Sequence, residues 1–529
     1  MNNIYKLLIL KNTYLFCLLF NIHAQEYLTS PIYQYYRFLE LDGSLKINTL
    51  NYYSLSDTNN ISFKSIIEHP WKNYINFRNI NKNNGDFKIL PFEGYYSYNI
   101  AYPRGFNDGS PWQGKGSNMT ILGGVLFNKW GFSAYIAPLI WYAQNMPFPT
   151  IPSDPSHDSN YSSFIPNIDE PQRFGDKPIY NLDWGESEIR YTYHHFTIGI
   201  GTQSVWIGPA LKNSLILSNN AGGFPKIDIG LYPWHTITGI FEFRAFLGYL
   251  QNSPIVDLDL KEKDRYILGY SLSYSPAFIP DLTLGFHRTA ITYEDSLIDM
   301  FQAFSFMNSN MGKDAVDQRA SLTFQWLFPT IGFSTYGEWA RNDFNDTLRR
   351  FLTQLHHSQA YTIGIRQLVY SSNNYKIGLI FELTQAQHTI DYQTDINVGR
   401  GTAGFYTHHI IQQGYTYKGQ ILGAAIGSGG SSQFLGLDIY SSKNKITLFF
   451  FRRLINIDYI YGKPEPRNLW AGRENVEISF GSSIFHFISK YFAIQSEVGL
   501  IWALNRNYIP QNDLVSGYFN LLIRYNINN

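Results

Sequence analysis

The sequence predicts an all-β fold, a closed transmembrane antiparallel β-barrel of the bacterial outer membrane. Three observations predict it: an export-type N-terminus, an aromatic-rich composition with no long apolar helix, and ten-residue segments that alternate apolar and polar side chains. Lys6 and Lys11 are the only charges ahead of the apolar run from Tyr14 to Phe20, and Asn21-Ile22-His23-Ala24 follows it. A basic stretch, a short apolar stretch and a small residue describe a secretory signal peptide over 1–24, cut before Gln25. The run is too short to cross about 30 Å of hydrocarbon as a helix.

Composition points the same way. Aromatic residues make up 17% of the chain, with 40 Tyr and 39 Phe, yet the mean hydropathy is only −0.21. A barrel reconciles the two, because its lipid face is apolar and its lumen polar. The only cysteine, Cys17, lies in the signal segment, so the mature chain can form neither disulfides nor thiolate metal sites. Removing Lys6 and Lys11 leaves 39 basic residues against 41 acidic ones. That balance gives no basic excess to attract nucleic acid.

Period-2 alternation is the strongest pattern. Tyr266, Leu268, Tyr270, Leu272 and Tyr274 oppose Gly269, Ser271, Ser273 and Ser275. Ala320, Leu322, Phe324 and Trp326 oppose Ser321, Thr323 and Gln325, and Phe241, Phe243, Ala245 and Leu247 oppose Glu242 and Arg244. The final segment sets Phe519, Leu521, Ile523, Tyr525 and Ile527 against Asn520, Arg524, Asn526 and Asn528. Successive strand side chains point to opposite faces, so each segment has one apolar and one polar side. A sandwich would share this alternation. Aromatics near strand ends and the export signal favour the barrel, and closure removes the open edges a bilayer does not tolerate. Counting segments gives 16 to 20, and the even number 18 is predicted for residues 91–529. Long loops are expected at 144–183, rich in proline, and at 204–235 and 386–414.

Residues 25–90 read differently, as an N-terminal helical segment on the periplasmic side. Ser30-Pro31 is an N-cap followed by proline at the first helical position, and Gly43 suits a C-cap. Ile32, Tyr35, Tyr36 and Leu39 follow helical spacing between them. A second short helix is expected near 62–73.

Few residues are arranged for catalysis. The His pairs at 194–195, 356–357 and 408–409 are adjacent, so on a strand they face opposite ways and cannot share a metal unless the backbone turns there. No phosphate-binding loop, zincin or EF-hand spacing is present. Gly427-Ser-Gly-Gly430 precedes a strand, not a helix. Ser218, Asp228 and His235 could be drawn as a triad, but no nucleophile elbow accompanies them. The expectation is therefore no enzyme, no cofactor and no metal.

Three segments are dense in residues that suit a sugar. They are Phe106 to Gly116, with Asn107, Asp108 and Trp112; Gln172 to Gly175 leading to Leu182–Ser187, with Arg173, Trp184 and Glu186; and Trp206 to Pro209 followed by Leu217–Pro225, with Asn219 and Asn220. An aromatic face covers the apolar C–H side of a sugar ring, and amides and carboxylates read its hydroxyls. For any one of these residues, turn formation or interfacial anchoring is the competing explanation.

The same segments resemble the Wzi-type capsule-assembly family, in its divergent branch. The shared blocks are Asn107-Asp108-Gly109…Trp112-x-Gly114-x-Gly116 and Trp206-x-Gly208-Pro209…Ser218-Asn219-Asn220-Ala221-x-Gly223-Phe224-Pro225. Supporting matches are Tyr35-Tyr36-Arg37 with Leu41-Asp42-Gly43, Arg173-Phe174-Gly175, Glu338-Trp339-Ala340-Arg341 and Gly419 to Gly427. Ile207 and Gly222 depart from the family, which often has a second Trp and a Pro there. The resemblance implies an 18-stranded barrel with a small helical bundle near the periplasmic mouth. It also implies a lectin-like role, binding and attaching exported capsular polysaccharide or exopolysaccharide at the cell surface. The partners expected are that glycan, outer-membrane lipid and the outer-membrane insertion machinery, with the protein a monomer. A passive porin or sugar channel is the alternative, and an outer-membrane enzyme a more distant one.

Overall fold

The computed structural model describes residues 30–55, 61–63, 68–75, 87–296, 316–342, 348–353, 355, 358–387, 404–461 and 472–526. The signal segment, His356 and His357, and residues 388–403 of the third expected loop lie outside them.

Twenty-two strand segments among the described residues form one closed antiparallel barrel. Eight of them join in pairs across short breaks: Phe87–Ile89 with Phe92–Asn99, Gly116–Leu122 with Val125–Lys129, Phe132–Ile136 with Leu139–Ala143, and Ile179–Asp183 with Glu188–Tyr193. The result is eighteen continuous strands. The barrel closes where Leu514–Tyr525 pairs with Phe92–Asn99. Most of the later strands have 10–13 residues, enough to cross the hydrocarbon when tilted.

The alternation is inside-out relative to a soluble sandwich. Ser271, Ser273, Ser321, Thr323, Glu242 and Arg244 are buried toward the lumen, while their neighbours Leu272, Leu322 and Phe324 are exposed on the outer wall. Leu322 is 52% and Leu500 59% exposed. A continuous apolar outer band of this kind belongs in lipid. One rim of the barrel carries tight turns, such as those at 194–195, 372–375 and 441–443, and the other carries the long loops. Trp130, 87% exposed, sits at a tight turn with the Lys129 ammonium over its ring, as interfacial aromatics do.

The helix Pro31–Leu39 lies in the lumen at the tight-turn rim. Ser30 Oγ accepts the Tyr33 N–H at 3.0 Å, and Gly43, at φ 68°, ends the following 3-10 turn. Tyr35 and Phe38 pack on Tyr440, and Trp71 packs on Phe485 and Phe487 from the wall. Phe38 enters where the wall carries Gly378: a Cβ there would lie 2.3 Å from its ring. Asp42 pairs with Lys376 at 2.5 Å, and Lys445 donates to Gln34 at 2.8 Å.

Two expectations need correction. The second helix near 62–73 is absent from the described part of that stretch: Ile61–Phe63 is a strand paired with Leu45–Ile47, and the chain around Trp71 is a hydrogen-bonded turn. The loop expected over 204–235 ends sooner, because Lys226–His235 is a wall strand. Its register shifts between Leu231 and Trp234, and this irregularity accommodates Pro233, which has no N–H for a regular ladder. Similarly, the strand Ile179–Asp183 takes the end of the 144–183 loop.

Candidate functional site

Carboxylates on the wall draw chain segments into the lumen. Glu382 accepts the backbone N–H groups of Leu211, Lys212 and Asn213 at 2.7–3.0 Å, and the Tyr336 hydroxyl at 2.8 Å. Glu338 accepts the Leu215 N–H at 2.9 Å, and Glu242 those of Leu50, Asn51 and Tyr52 at 2.9–3.2 Å. Charge-assisted bonds of this kind satisfy backbone groups that would otherwise be buried without partners. Beneath them Trp206–Ile207 pairs with Tyr52–Tyr53. Leu215, Ile216 and Leu217 meet Tyr406, Tyr415 and Leu422 in a buried apolar core inside the barrel.

The two blocks that carry the family resemblance meet in this filling. Asn107 (φ 61°) and Gly109 (φ 75°) turn the first block back on itself. Asn219 Nδ2 donates to the Asn107 carbonyl at 2.9 Å, and the Gly109 N–H donates to the Asn219 carbonyl at 2.7 Å. Gly222 packs on Ser110 so closely that a Cβ would lie 2.9 Å from the Ser110 Cβ. The departure at that position therefore matches a tight contact between the blocks. The Arg37 guanidinium, from the third motif, donates to the Pro209 carbonyl at 3.1 Å and ties the helix to the second block.

Beside the filling lies a cavity of about 530 Å³, within the usual range for small-ligand sites. Asn107, Asp108, Glu186, Trp206 and Asn219 all line it, together with Arg104, Lys212, Phe434, Glu497 and Tyr518. The Trp206 indole N–H and the Asn107 Oδ1 are buried without a hydrogen-bond partner among the described residues. Asp108 accepts the Phe106 N–H at 2.7 Å. Burial pushes its pKa up to about 7 against that hydrogen bond, and Glu497 adds to the rise. Glu186 accepts the Ser204 N–H at 2.9 Å.

The other four predicted residues lie elsewhere. Trp184 is 69% exposed on the outer wall, one position past the inward Asp183. Trp112 packs edge-on against Phe174 at 5.1 Å, and Arg173 donates to the Asn145 carbonyl at 2.9 Å and pairs with Asp176 at 3.0 Å, so both hold loops together. Asn220 donates to the Ile421 carbonyl at 2.8 Å and joins two loops. Lys212, Phe434 and Tyr518 were missing from the expectation. Lys212 had a signal, as the sole charge between Ser204 and Pro225; Phe434 and Tyr518 lie in wall strands with no such mark. Among the described residues, no group of three His, Cys, Asp or Glu side chains is placed to hold a metal.

Fold and lumen together define an outer-membrane β-barrel whose interior is filled by its own chain around one polar and aromatic cavity. The capsule assembly protein Wzi family matches over residues 106–461, and the chain belongs to that family. Wzi of Escherichia coli, an outer-membrane, carbohydrate-binding β-barrel involved in group 1 capsule assembly, shares the fold with a TM-score of 0.62 at 14% identity, over 94% of this chain and 98% of that one. OccAB2 of Acinetobacter baumannii (TM-score 0.41, 12% identity, 82% of this chain and 97% of that one) and OpdQ of Pseudomonas aeruginosa (0.40, 10%, 83% and 97%) are more distant. No curated protein sequence matches significantly.

Proposed function

We propose that the protein is a lectin-like barrel that binds exported capsular polysaccharide or exopolysaccharide and attaches it at the cell surface. The observation that carries this reading is the cavity itself, which the two motif blocks line with Asn107, Asp108, Trp206 and Asn219. Amide and carboxylate side chains supply the donors and acceptors that read sugar hydroxyls. The Trp206 ring offers the flat surface that a sugar's C–H face needs.

The proposed role is binding without catalysis. Ser218 donates to the Gly423 carbonyl at 2.6 Å, and Asp228 is engaged with Arg190 at 2.7 Å, so neither serves the paper triad with His235. One chain completes the cavity, so a monomer, inserted by the outer-membrane assembly machinery after loss of residues 1–24, suffices for the function. The test is a deletion strain. Polymer should still be made but be shed into the medium; unchanged retention at the surface would overturn the reading.

A further inference from the structure

The helix Pro31–Leu39 does more than fill one end of the lumen. Tyr35 and Phe38 pack on the wall, and Gln34 and Arg37, three positions apart on an adjoining face, line the cavity. Arg37 belongs to the Tyr35-Tyr36-Arg37 motif, to which the glycan reading gives no part.

The ribbon formed by Trp206–Ile207 and Tyr52–Tyr53 has two faces. Ile207 and Tyr52 join the core of inserted loops, while Trp206 and Tyr53 join the aromatic cluster around the helix, because neighbouring strand residues face opposite ways. The setting of Trp206, the ring offered to the sugar, is therefore fixed from the helix side.

Two contacts of Arg37 fix it. Its Nη2 donates to the Pro209 carbonyl at 3.1 Å and fastens the turn at Gly208 (φ 96°), directly after the ribbon. Its guanidinium also stands 5.4 Å from the ring centroid of Tyr53, the residue paired with Trp206, within the range of a cation–π contact. Arg37 is held in turn from the wall, where Arg366 Nη1 donates to its carbonyl at 3.0 Å. A chain of contacts from wall to helix to ribbon thus ends on Trp206.

We propose that the helix is part of the glycan site, with Arg37 as the positioning residue that holds Trp206 against the cavity. This inference rests on the glycan reading above and adds the luminal helix to the binding machinery. An arginine that only anchored the helix would affect binding equally with or without the indole at position 206. One that positions the indole affects binding only while the indole is there.

The test is a double-mutant cycle read as affinity, using full-length protein in detergent and the surface polysaccharide extracted from the producing strain. Arg37→Met should weaken binding about tenfold, and Arg37→Lys, which keeps a cation and a donor, should restore most of it. In the Trp206→Ala background Arg37→Met should cost less than about twofold more, because the group it positions is gone. Heat-modifiable gel mobility shows that each variant is folded. Unchanged affinity of Arg37→Met, or an equal loss with and without the indole, would overturn the positioning role and leave the glycan reading standing. If Arg37→Met does not fold, hydrogen exchange of the wild type decides. Polymer should slow exchange over 31–39 together with 204–209, and slowing over 204–209 alone overturns the proposal. Wild-type protein that binds no polymer sinks the glycan reading itself, and this inference with it.

Discussion

The two sides of the lumen share one kind of wall and differ in what lies against it. Along the strands from Lys226 to Gln385 the inner face carries Phe246, Ile267, Ile291, Ala340 and Ala360, and the inserted loops pack on these as on a soluble core. Along the strands near both ends of the barrel the inner face carries Glu93, Tyr95, Phe434, Glu497 and Tyr518, and the cavity lies over them. On the first side apolar inward residues pack on the inserted chain while the inward carboxylates of Glu242, Glu338 and Glu382 accept its backbone N–H groups. On the second side the inward aromatic and charged residues line the cavity instead. The proposed binding role needs both, one side to hold the loops still and one to offer a site on them.

The largest effect should come from unfastening the filled side. Glu382→Ala removes the acceptor for three backbone N–H groups, each worth roughly 1–3 kcal/mol when left buried and unsatisfied. The variant should unfold at a lower temperature and show ion conductance in planar bilayers that the wild type lacks. Unchanged behaviour in both assays would break the contrast between the two sides. Next, Trp206→Ala with Asn219→Ala should weaken polymer binding about 30-fold, roughly 2 kcal/mol, in a barrel that still folds. Loss of the folded barrel would instead mean that these residues serve the filling.

A smaller effect concerns Asp108. Its pKa is raised from 3.8 to about 7, so the folded state binds the proton more tightly than the unfolded one. The stability this contributes is complete below pH 4 and is lost as pH rises through about 7. The melting temperature should fall across that window, and Asp108→Asn should flatten the fall. Trp184→Ala should change polymer binding by no more than about twofold, as for a surface substitution remote from the site. A larger loss would place the glycan on the outer wall.

Much of the wall was legible because period-2 alternation survives in strands such as Arg265–Pro276, where Gly269, Ser271 and Ser273 face inward between larger outward residues. The strand at Lys226–His235 was hidden by Pro233, which reads as loop and is in fact absorbed by a bulge. Half of the cavity was legible because Asn107, Asp108, Trp206 and Asn219 sit in dense, unusual blocks. Trp184 follows the inward Asp183 by one residue and falls on the outer wall, since a shift of one residue moves a side chain to the other face; the residue pattern assigned it no face. Phe434 and Tyr518 were illegible because an inward aromatic on a strand looks like any other alternating position until the barrel is closed.

Sugar flux through the wild-type protein decides between a barrel that holds polymer and one that passes it. Purified protein in liposomes should give no more swelling in monosaccharide solutions than protein-free vesicles, because the helix Pro31–Leu39 and the inserted loops occupy the lumen. Rapid swelling would contradict the filled lumen and favour a sugar channel.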